Sequence, residues 1–443
     1  MKETVIVCCL VVLSSCSSAP PLPSAGWEDP SASRPPPGRS VAPARDVSGV
    51  VEALIAFEPQ EGMTLQGAFE LAQQSHPELA AAQARVAAAA GRALDAGRLP
   101  NPAAVLRIES APFEGATLDE AEYVAGVSQP LPLGGRLAAA ERVAAAEVRR
   151  AVLERDAVWF ELRGRIRGAF ASALYAQKAA ELRSDLLEQA EAARGVAAIR
   201  VASGDATEEG LLTTELAIVE ARRELLRADG LRSTALGELA LAVGTPEREI
   251  ATVTGDLDTA ASLPAIEDVL RRIEENPVLL AQAARVEADE ARLVLAAAQR
   301  IPDLRLDLLY RRLQETDANA FDVGLSVPLQ LFTSGRGRVE AARADLIESQ
   351  ARRRGARARI ESSARIAHDR LVRARAELEL VEDEVLPRSA QLLAIHERRF
   401  EAGDIALDEV LRARVRHASA ELSRLEAFRA TMAAWAELAP HLD

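Results

Sequence analysis

Four short stretches of the chain alternate between apolar and polar positions. Residues 304–311 carry Leu or Tyr at nearly every second position, and the positions between them are mostly charged. Residues 321–327 have one wholly apolar face, and residues 104–109 and 122–128 repeat the pattern with smaller side chains. A period of two predicts β-strands. Charges on one face and aliphatic side chains on the other are typical of strands that separate lipid from water. An amphipathic hairpin packed on the helices of a soluble protein is the alternative.

The rest of the chain has the composition of long helices. Alanine, the strongest helix former, is abundant, and aromatic residues make up only 3%. Residues 136–200 form a run of 65 residues without proline, which would be roughly 100 Å long as one helix. Proline in His76-Pro77 and Asn276-Pro277 predicts a break in the first helix of each half. The predicted helices cover 64–98 and 265–299, two long runs that begin near 136 and 337, and 206–241 and 405–438.

Landmarks in the first half of the chain recur in the second half after about 200 residues. Pro77, Pro100, Pro130 and Asp205 match Pro277, Pro302, Pro328 and Asp404, at offsets of 200, 202, 198 and 199 residues. Four matches in the same order indicate a tandem duplication. We therefore predict a first repeat over residues 61–255 and a second over 256–443. Each repeat contains a kinked helix, two strands and a helical hairpin.

Four strands per chain are too few to close a barrel in a membrane, where known barrels use eight or more. Open sheet edges are not tolerated in lipid. If these strands span a membrane, several copies of the chain must therefore pool them. The predicted fold class is mainly α with a small β part, in which internally duplicated long helical hairpins are joined to four transmembrane strands per chain.

The N-terminus has the features of a lipoprotein signal. Lys2 precedes a short apolar run, residues 5–13, that is too short to span a bilayer of ~30 Å as a helix. Leu13-Ser14-Ser15-Cys16 resembles the lipobox that is cleaved before a lipidated cysteine, and Ser17 implies sorting to the outer membrane. We predict a signal peptide over 1–15, lipidation of Cys16 and a flexible Pro/Ser-rich tether over 16–60. An ordinary secretory signal with an incidental cysteine is the alternative.

Several function classes are excluded by composition and motifs. The net charge of −14 argues against a nucleic-acid partner. Cysteine occurs only at positions 8, 9 and 16, so the body has no disulfide framework and no thiolate metal site. No Walker phosphate loop, dinucleotide fingerprint or nucleophile elbow is present, and we predict neither a cofactor nor catalytic activity. The histidines lack metal-ligand spacing and are predicted to be solvated residues on helix faces: His76, His368, His396, His417 and His441.

The duplication, the order of elements and several segments resemble the TolC-like outer-membrane efflux family. The segments are Leu99-Pro100-Asn101-Pro102, residues 127–136 and residues 326–332, and the resemblance covers about residues 61–440. It implies a homotrimer with a twelve-stranded barrel in the outer membrane and a helical tunnel in the periplasm. It also implies three partners: a periplasmic adaptor (membrane fusion) protein, a proton-driven inner-membrane efflux transporter and outer-membrane lipid.

Within that family the segments are most similar to the cobalt–zinc–cadmium resistance branch. This similarity implies a tripartite efflux pump whose cargo is divalent heavy-metal ions. One departure is Phe332-Thr333-Ser334-Gly335, where that branch more often has a turn containing Asn or Arg. A drug-efflux or type I secretion duct is an alternative within the family, and a coiled-coil lipoprotein that forms no pore is the alternative from another class.

Two groups of residues are candidates for function. By the resemblance, the turns between paired helices are periplasmic tips that dock the adaptor, and their residues are Arg200, Gly204, Asp205, Arg399, Gly403 and Asp404. In a trimer the two aspartates would add an acidic ring that attracts cations. Their ordinary structural role would be to cap the helix that follows each left-handed glycine. The second group is predicted to line the barrel lumen, with a solvated sheet face as the alternative: Arg107, Glu109, Arg305, Asp307 and Asp322.

Overall fold

The computed structural model describes residues 62–109, 121–204, 207–247, 250–255, 263–314 and 316–439. They all fall in one compact unit, Glu61–Asp443. The predicted signal peptide, Cys16 and the tether lie outside the described residues, as does Asp205, so these parts of the interpretation stay predictions.

The two repeats have the same order of elements. The first contains α1 (Leu65–Ser75), α2 (Pro77–Asp95), β1 (Ala103–Glu109), β2 (Glu122–Leu131), α3 (Arg136–Ala202) and α4 (Glu208–Val243). The second contains α5 (Ile266–Arg271) with a 3-10 turn (Arg272–Glu275), α6 (Pro277–Ala298), β3 (Leu304–Leu313), β4 (Ala318–Ser326), α7 (Arg336–Leu380), α8 (Leu386–Glu401) and α9 (Leu407–Leu438). The mainly helical fold with four strands is confirmed, and the exact repeat boundaries stay a prediction.

The junction between α1 and α2 explains why each repeat begins with a broken helix. Pro77 is the first residue of α2, where its missing N–H removes no helical hydrogen bond. His76 precedes it as the N-cap, and its Nδ1 accepts a hydrogen bond from the Glu78 N–H at 3.2 Å. Asn276 caps α6 in the same way, because its Oδ1 accepts from the Val278 N–H at 3.0 Å. The breaks predicted at both proline pairs are confirmed.

His76 corrects the prediction that the histidines are solvated. Its side chain is buried, with 6% of the residue exposed. Burial lowers the pKa of His76, and the nearby Glu78 carboxylate only partly opposes that shift. The other described histidines are half-buried and hydrogen-bonded: His368 to the Pro264 carbonyl, His396 to the Leu392 carbonyl and His417 to the Ser389 hydroxyl. His441 lies outside the described residues.

The two long helical runs differ at one point. α3 continues from Arg136 to Ala202 as a single helix of 67 residues, as its proline-free sequence predicts. Its counterpart is divided by a π-helical segment, Val381–Val385, between α7 and α8. Pro387 lies just beyond this segment, where proline lacks the N–H for the preceding turn and its ring crowds the carbonyl there. The second long run predicted from the sequence is thus helical from Arg336 to Glu401, but it contains one π-helical turn.

Small side chains fill the space between the helices. Alanine dominates the buried positions, which lets helix backbones approach closely. Larger side chains gather in two clusters. One, around Leu162 and Leu239, joins α1 to α3 and α4, and the other, around Val269 and Leu438, joins α5 to α7 and α9. Among the described residues, no helix has both the length and the apolar character needed to cross a membrane.

The four strands form one antiparallel sheet in the order β1-β2-β3-β4. The pairing runs from Ala103↔Ser128 to Glu109↔Glu122, from Glu122↔Leu313 to Leu131↔Leu304, and from Arg305↔Ser326 to Leu313↔Ala318. The contact between β2 and β3 joins the two repeats. Because the strands alternate in direction, the four strand termini that connect to helices all lie at the same end of the sheet. β2 and β3 have 10 residues each, the length that crosses a bilayer at a tilt.

Candidate functional site

The strand register gathers the predicted lumen residues on one face of the sheet. Residues paired across strands share a face, and the register puts the whole set on the same side: Arg107, Glu109, Arg305, Asp307 and Asp322. Glu122 and Arg311, which are not in the predicted set, lie on this polar face too. It therefore carries four carboxylates and three guanidinium groups, or one net negative charge per chain. Its role as the lining of a lumen stays a prediction.

Arg311 is the centre of this polar face. Its Nε donates a hydrogen bond to Asp322 of β4 at 3.0 Å. Its Nη1 donates to Glu109 of β1 at 3.2 Å and also to Glu122 of β2. One guanidinium on β3 thus contacts carboxylates on all three other strands. The alternation in the sequence marks Arg311 as a polar-face residue, but its partners follow from pairing across the repeat boundary, which no local pattern predicts.

The opposite face of the sheet is apolar and uncovered in the single chain. Its exposed side chains are Leu106, Ile108, Val127, Leu308, Tyr310, Phe321, Val323 and Leu325. Phe321 is 82% exposed, and its ring meets that of Tyr310 edge to face, with 5.4 Å between the centroids. A continuous exposed apolar surface of this kind marks a contact with lipid or with another protein.

The outer strands have free edges. Among the described residues, β1 pairs only with β2, and β4 pairs only with β3, so each outer edge presents unpaired backbone groups. β4 and β1 are the counterparts of β2 and β3, which pair with each other between the repeats. A second copy of the chain can repeat this contact by placing its β1 against β4, and rotation then extends the sheet toward a closed ring.

The turn between α8 and α9 is a complete Schellman motif. Gly403 has a φ of +81°, and its N–H donates to the Phe400 carbonyl at 3.0 Å. The Asp404 N–H donates to the Arg399 carbonyl at 2.8 Å, which satisfies two carbonyls at the end of α8. Gly204, in the turn between α3 and α4, has the same conformation, with a φ of +83°. The left-handed glycines expected from the sequence are present at both turns.

Asp404 does not have the predicted capping role. α4 is capped by Thr207, whose Oγ1 accepts a hydrogen bond from the Gly210 N–H at 3.3 Å. The N-cap of α9 is Ala406, two residues after Asp404. The prediction is wrong for Asp404 because the helix starts later than the sequence suggested, which leaves this residue exposed at the turn. Asp205 lies outside the described residues.

The two turns lie close to each other. The Arg200 guanidinium, at the end of α3, is stacked over the Phe400 ring at the end of α8, 5.2 Å from its centroid. Arg200 is half-buried by this contact, whereas Arg399, its counterpart in the second repeat, is exposed. The structure thus joins the predicted tips through Arg200. Docking of an adaptor protein at these tips stays a prediction.

No cluster of three or more His, Cys, Asp or Glu residues suited to a metal ion occurs in the part of the chain that the structure describes. Three carboxylates of the polar face, those of Glu109, Glu122 and Asp322, are bound to Arg311. This face is therefore a charged surface on which three of the four carboxylates are paired.

Outer-membrane channel proteins have this architecture: a sheet with one polar and one apolar face whose strands continue, at one end of the sheet, into long helical hairpins. The structure of the outer membrane protein VceC of Vibrio cholerae is similar, with a TM-score of 0.69 and 21% identity, covering 85% of this chain and 95% of VceC. The open state of the MtrE outer membrane channel of Neisseria gonorrhoeae gives a TM-score of 0.69 and 20% identity, over 85% of this chain and 88% of MtrE. At these identities the likeness shows a common fold.

The chain belongs to the outer membrane efflux protein family, whose model matches residues 68–245 and 271–442. It is also similar to the cobalt-zinc-cadmium resistance protein CzcC of Cupriavidus metallidurans, with 26% identity over 364 residues, 81% of this chain and 85% of CzcC. The protein is thus an efflux channel of the outer membrane with a helical tunnel in the periplasm. Its family consists of channels and not of enzymes, and the members are typically trimers that work with other pump components.

Proposed function

We propose that this protein is the outer-membrane exit channel of a tripartite pump that exports divalent heavy-metal ions. The observation that carries the proposal is the two-faced sheet. Charged groups on one face offer ions a hydrated path, and exposed aliphatic groups on the other suit contact with lipid. The similarity to CzcC, whose name refers to cobalt, zinc and cadmium resistance, supports metal ions as the cargo.

Three copies form the channel in this proposal. Four strands from each copy give a barrel of twelve, within the range of known membrane barrels. β4 of one copy pairs with β1 of the next, which repeats the internal contact between β2 and β3. Lipidation of Cys16 would add an anchor, and the tether over residues 16–60 would connect that anchor to the folded body.

The polar face favours cations without retaining them. With one net negative charge per chain, a trimeric lumen concentrates cations by electrostatic focusing. Arg311 binds Glu109, Glu122 and Asp322, so no group of several free carboxylates is left on this face to hold a divalent ion tightly. Rapid passage requires such weak binding.

The tips of the hairpins supply the docking surface for the other pump components. Asp404 is exposed there, and three copies would form an acidic ring at the tunnel mouth. A periplasmic adaptor protein contacts the turns at Arg200–Gly204 and Arg399–Asp404 in this proposal. A proton-driven inner-membrane transporter supplies the energy, since the channel itself is passive.

The test is a susceptibility panel on a strain that lacks the gene, with zinc, cobalt, cadmium, copper, silver and several hydrophobic drugs. We expect sensitivity to one or more metals, unchanged response to the drugs, and full rescue by the wild-type gene. Sensitivity to the drugs alone would keep the channel and overturn the metal cargo.

The same strain tests the acidic ring. Asp404→Ala is expected to rescue metal resistance incompletely and to weaken crosslinking to the adaptor. The matched control is Glu267→Ala, which removes the same charge from an exposed position on α5, away from the turns. Equal rescue and equal crosslinking by the two variants would contradict a role for Asp404.

A further inference from the structure

The segment between β4 and α7 exposes a set of large apolar side chains. Leu329 is 77% exposed, Leu331 is 75% exposed and Phe332 is 98% exposed. A hydrogen bond from the Leu331 N–H to the Leu329 carbonyl, 3.0 Å long, closes a tight turn in the segment. Large apolar side chains that are this exposed in the single chain mark a site of contact with lipid or with another protein.

The apolar alternation of β4 continues along the sequence into this segment. On β4 the apolar face is formed by Phe321, Val323 and Leu325. The same alternation runs on through Val327, Leu329 and Leu331 after the strand has ended, while the intervening positions are Ser326, Pro328 and Gln330. β4 ends at the end of the sheet that connects to the helices. This end is the periplasmic rim of the outer-membrane channel.

Basic side chains lie directly next to the apolar group. The Arg300 Nε donates to the Ser334 carbonyl at 3.3 Å, and Arg338 reaches the Gln299 carbonyl at 3.4 Å. Arg336 opens α7 beside them, and all three arginines are exposed. Apolar side chains bordered by arginine fit the boundary between acyl chains and phosphate headgroups. Aromatic side chains are enriched at the same depth in membrane barrels.

The first repeat has no counterpart of Phe332. Five residues separate Pro130 from Arg136, but seven, Phe332 among them, separate Pro328 from Arg336, so this segment is two residues longer in the second repeat. In the first repeat Gly134 packs on Ile301, and a Cβ atom at Gly134 would lie 2.5 Å from the Ile301 Cδ1. Where the second repeat exposes Phe332, the first repeat thus has a closely packed glycine and no aromatic side chain.

We propose that Leu329, Leu331 and Phe332 form an interfacial anchor that inserts into the periplasmic leaflet of the outer membrane. The flanking arginines bind phospholipid phosphates. The anchor rests on the membrane placement of the sheet and is independent of the cargo. It fixes the depth of the channel in the bilayer at the point where strands become helices, in one of the two repeats only.

The experiment uses the full-length protein with single cysteines, labelled with an environment-sensitive fluorophore and reconstituted in phosphatidylethanolamine–phosphatidylglycerol vesicles. Phe332→Cys is the test variant, Phe321→Cys on the sheet is the membrane reference, and Gln330→Cys is the matched control two residues away. The wild-type protein, carried through the same labelling, corrects for label on Cys8, Cys9 or Cys16. Quenching is measured with lipid-borne nitroxides and with aqueous iodide.

For Phe332→Cys we expect blue-shifted emission and several-fold stronger quenching by shallow lipid nitroxides than for Gln330→Cys. Quenching of Phe332→Cys by iodide alone, with Phe321→Cys still quenched by lipid, would overturn the anchor. Efficient disulfide formation between Phe332→Cys and Leu99→Cys of a second copy would also overturn it, because the segment would then be a contact between copies. Loss of lipid quenching at Phe321→Cys would overturn the membrane placement of the sheet. The experiment does not measure metal export, so its outcome does not depend on the cargo.

Discussion

Helices α2 and α6 hold equivalent places in the two repeats, yet they bury different parts of their surface. α6 packs against both α3 and α7, whereas α2 packs against α3. The difference is sharpest at three pairs of identical residues. Ala281, Ala284 and Ala288 on α6 are buried, while Ala81, Ala84 and Ala88 at the matching positions of α2 are exposed.

The hairpin helices α4 and α9 differ in the same way. α9 packs on α3 of the other repeat, and its Ala418 and Leu425 are buried. The matching residues of α4, Val219 and Leu226, are 62% and 73% exposed. Since the residues are apolar in both repeats, the difference in burial comes from the neighbouring elements and not from the helices themselves. The surfaces that the first repeat leaves open are those that a neighbouring copy would cover in a closed ring.

The largest predicted effect comes from a substitution on the exposed surface of α2 that a neighbouring copy would cover. We expect Ala88→Arg on α2 to prevent assembly, because the cation and its bulk would be buried between copies. Overpacking alone costs about 1–3 kcal/mol per contact, and an unpaired buried charge adds to that. The native mass in mild detergent should fall from trimer to monomer.

Position 80 provides the control for this prediction. Ala80 is exposed, and its counterpart on α6, Leu280, is 37% exposed even where α6 is covered on two sides. Ala80→Arg should therefore leave assembly intact. If both variants assembled normally, the comparison between α2 and α6 would not report a contact between copies.

Arg311 allows a second test, this time on the sheet that joins the repeats. Arg311→Ala should lower the temperature at which the proposed trimer dissociates, because it leaves Glu122 and Asp322 without their counter-charge. Glu109 would keep only Arg107, whose Nη1 lies 3.8 Å from its Oε1. The substitution should also shift the reversal potential in a planar bilayer toward cation selectivity, since the polar face becomes more negative.

Arg305→Ala is matched in charge to this variant. Arg305 is exposed on the same face and forms no ion pair among the described residues. We expect the same direction of change in selectivity but little loss of heat stability. Equal heat stability of the two variants would show that Arg311 contributes only its charge.

The caps of α2 and α6 lead to a prediction of pH dependence. His76 and Asn276 have the same role, but only His76 titrates. Burial lowers its pKa from the ordinary 6.5, so the unfolded chain takes up a proton at a higher pH than the folded chain does. Stability is therefore unaffected by this group above about pH 6.5 and falls as the pH drops through the lower folded-state pKa. The protonated ring also loses the capping bond, which is worth about 1 kcal/mol.

His76→Asn should reduce the loss of stability at acidic pH, while the stability at neutral pH stays close to that of the wild type. Heat-dissociation temperatures between pH 5 and pH 8, compared for the two proteins at equal ionic strength, measure the effect. Asn276→His, the reciprocal change, should introduce a second acid-sensitive junction. If His76→Asn lost as much stability at acidic pH as the wild type does, other titratable groups would be responsible for that loss.

Local patterns predicted much of this molecule. The alternation at residues 304–311 gave the strand and its two faces, and the prolines at 77 and 277 gave the breaks in the first helices, because both effects act over a few residues. Contacts between distant residues could not be found in this way. Arg311 meets Glu109 and Glu122 only because β2 pairs with β3.

Some local features were also missed where two signals compete. The sequence predicts a helix over 405–438 that Asp404 caps, but α9 begins at Leu407. Asp404 donates its backbone N–H to Arg399 to complete the turn, which holds it outside the helix. The burial of His76 depends on packing against Gly244, and no spacing in the sequence indicates that contact.

The smallest predicted effect concerns the turns at the hairpin tips. Thr207 and Ala406 are the N-caps of α4 and α9, and their backbones agree closely, with φ, ψ of −92°, 155° and −79°, 157°. Only Thr207 has a side chain that caps. Ala406→Thr should therefore stabilise the second hairpin by about 0.5–1 kcal/mol, and Thr207→Ala should destabilise the first by a similar amount.

The second repeat is well suited to accept this cap. Ala406 is followed at the third helical position by Glu409, so the substitution creates the Thr-x-x-Glu sequence of a capping box. Melting followed by circular dichroism on both variants, with the double variant as a check of additivity, measures the exchange. A loss in Thr207→Ala without a gain in Ala406→Thr would mean that the turn at Gly403 is held by contacts other than its own helix start, and the stacking of Arg200 on Phe400 would be the first contact to remove.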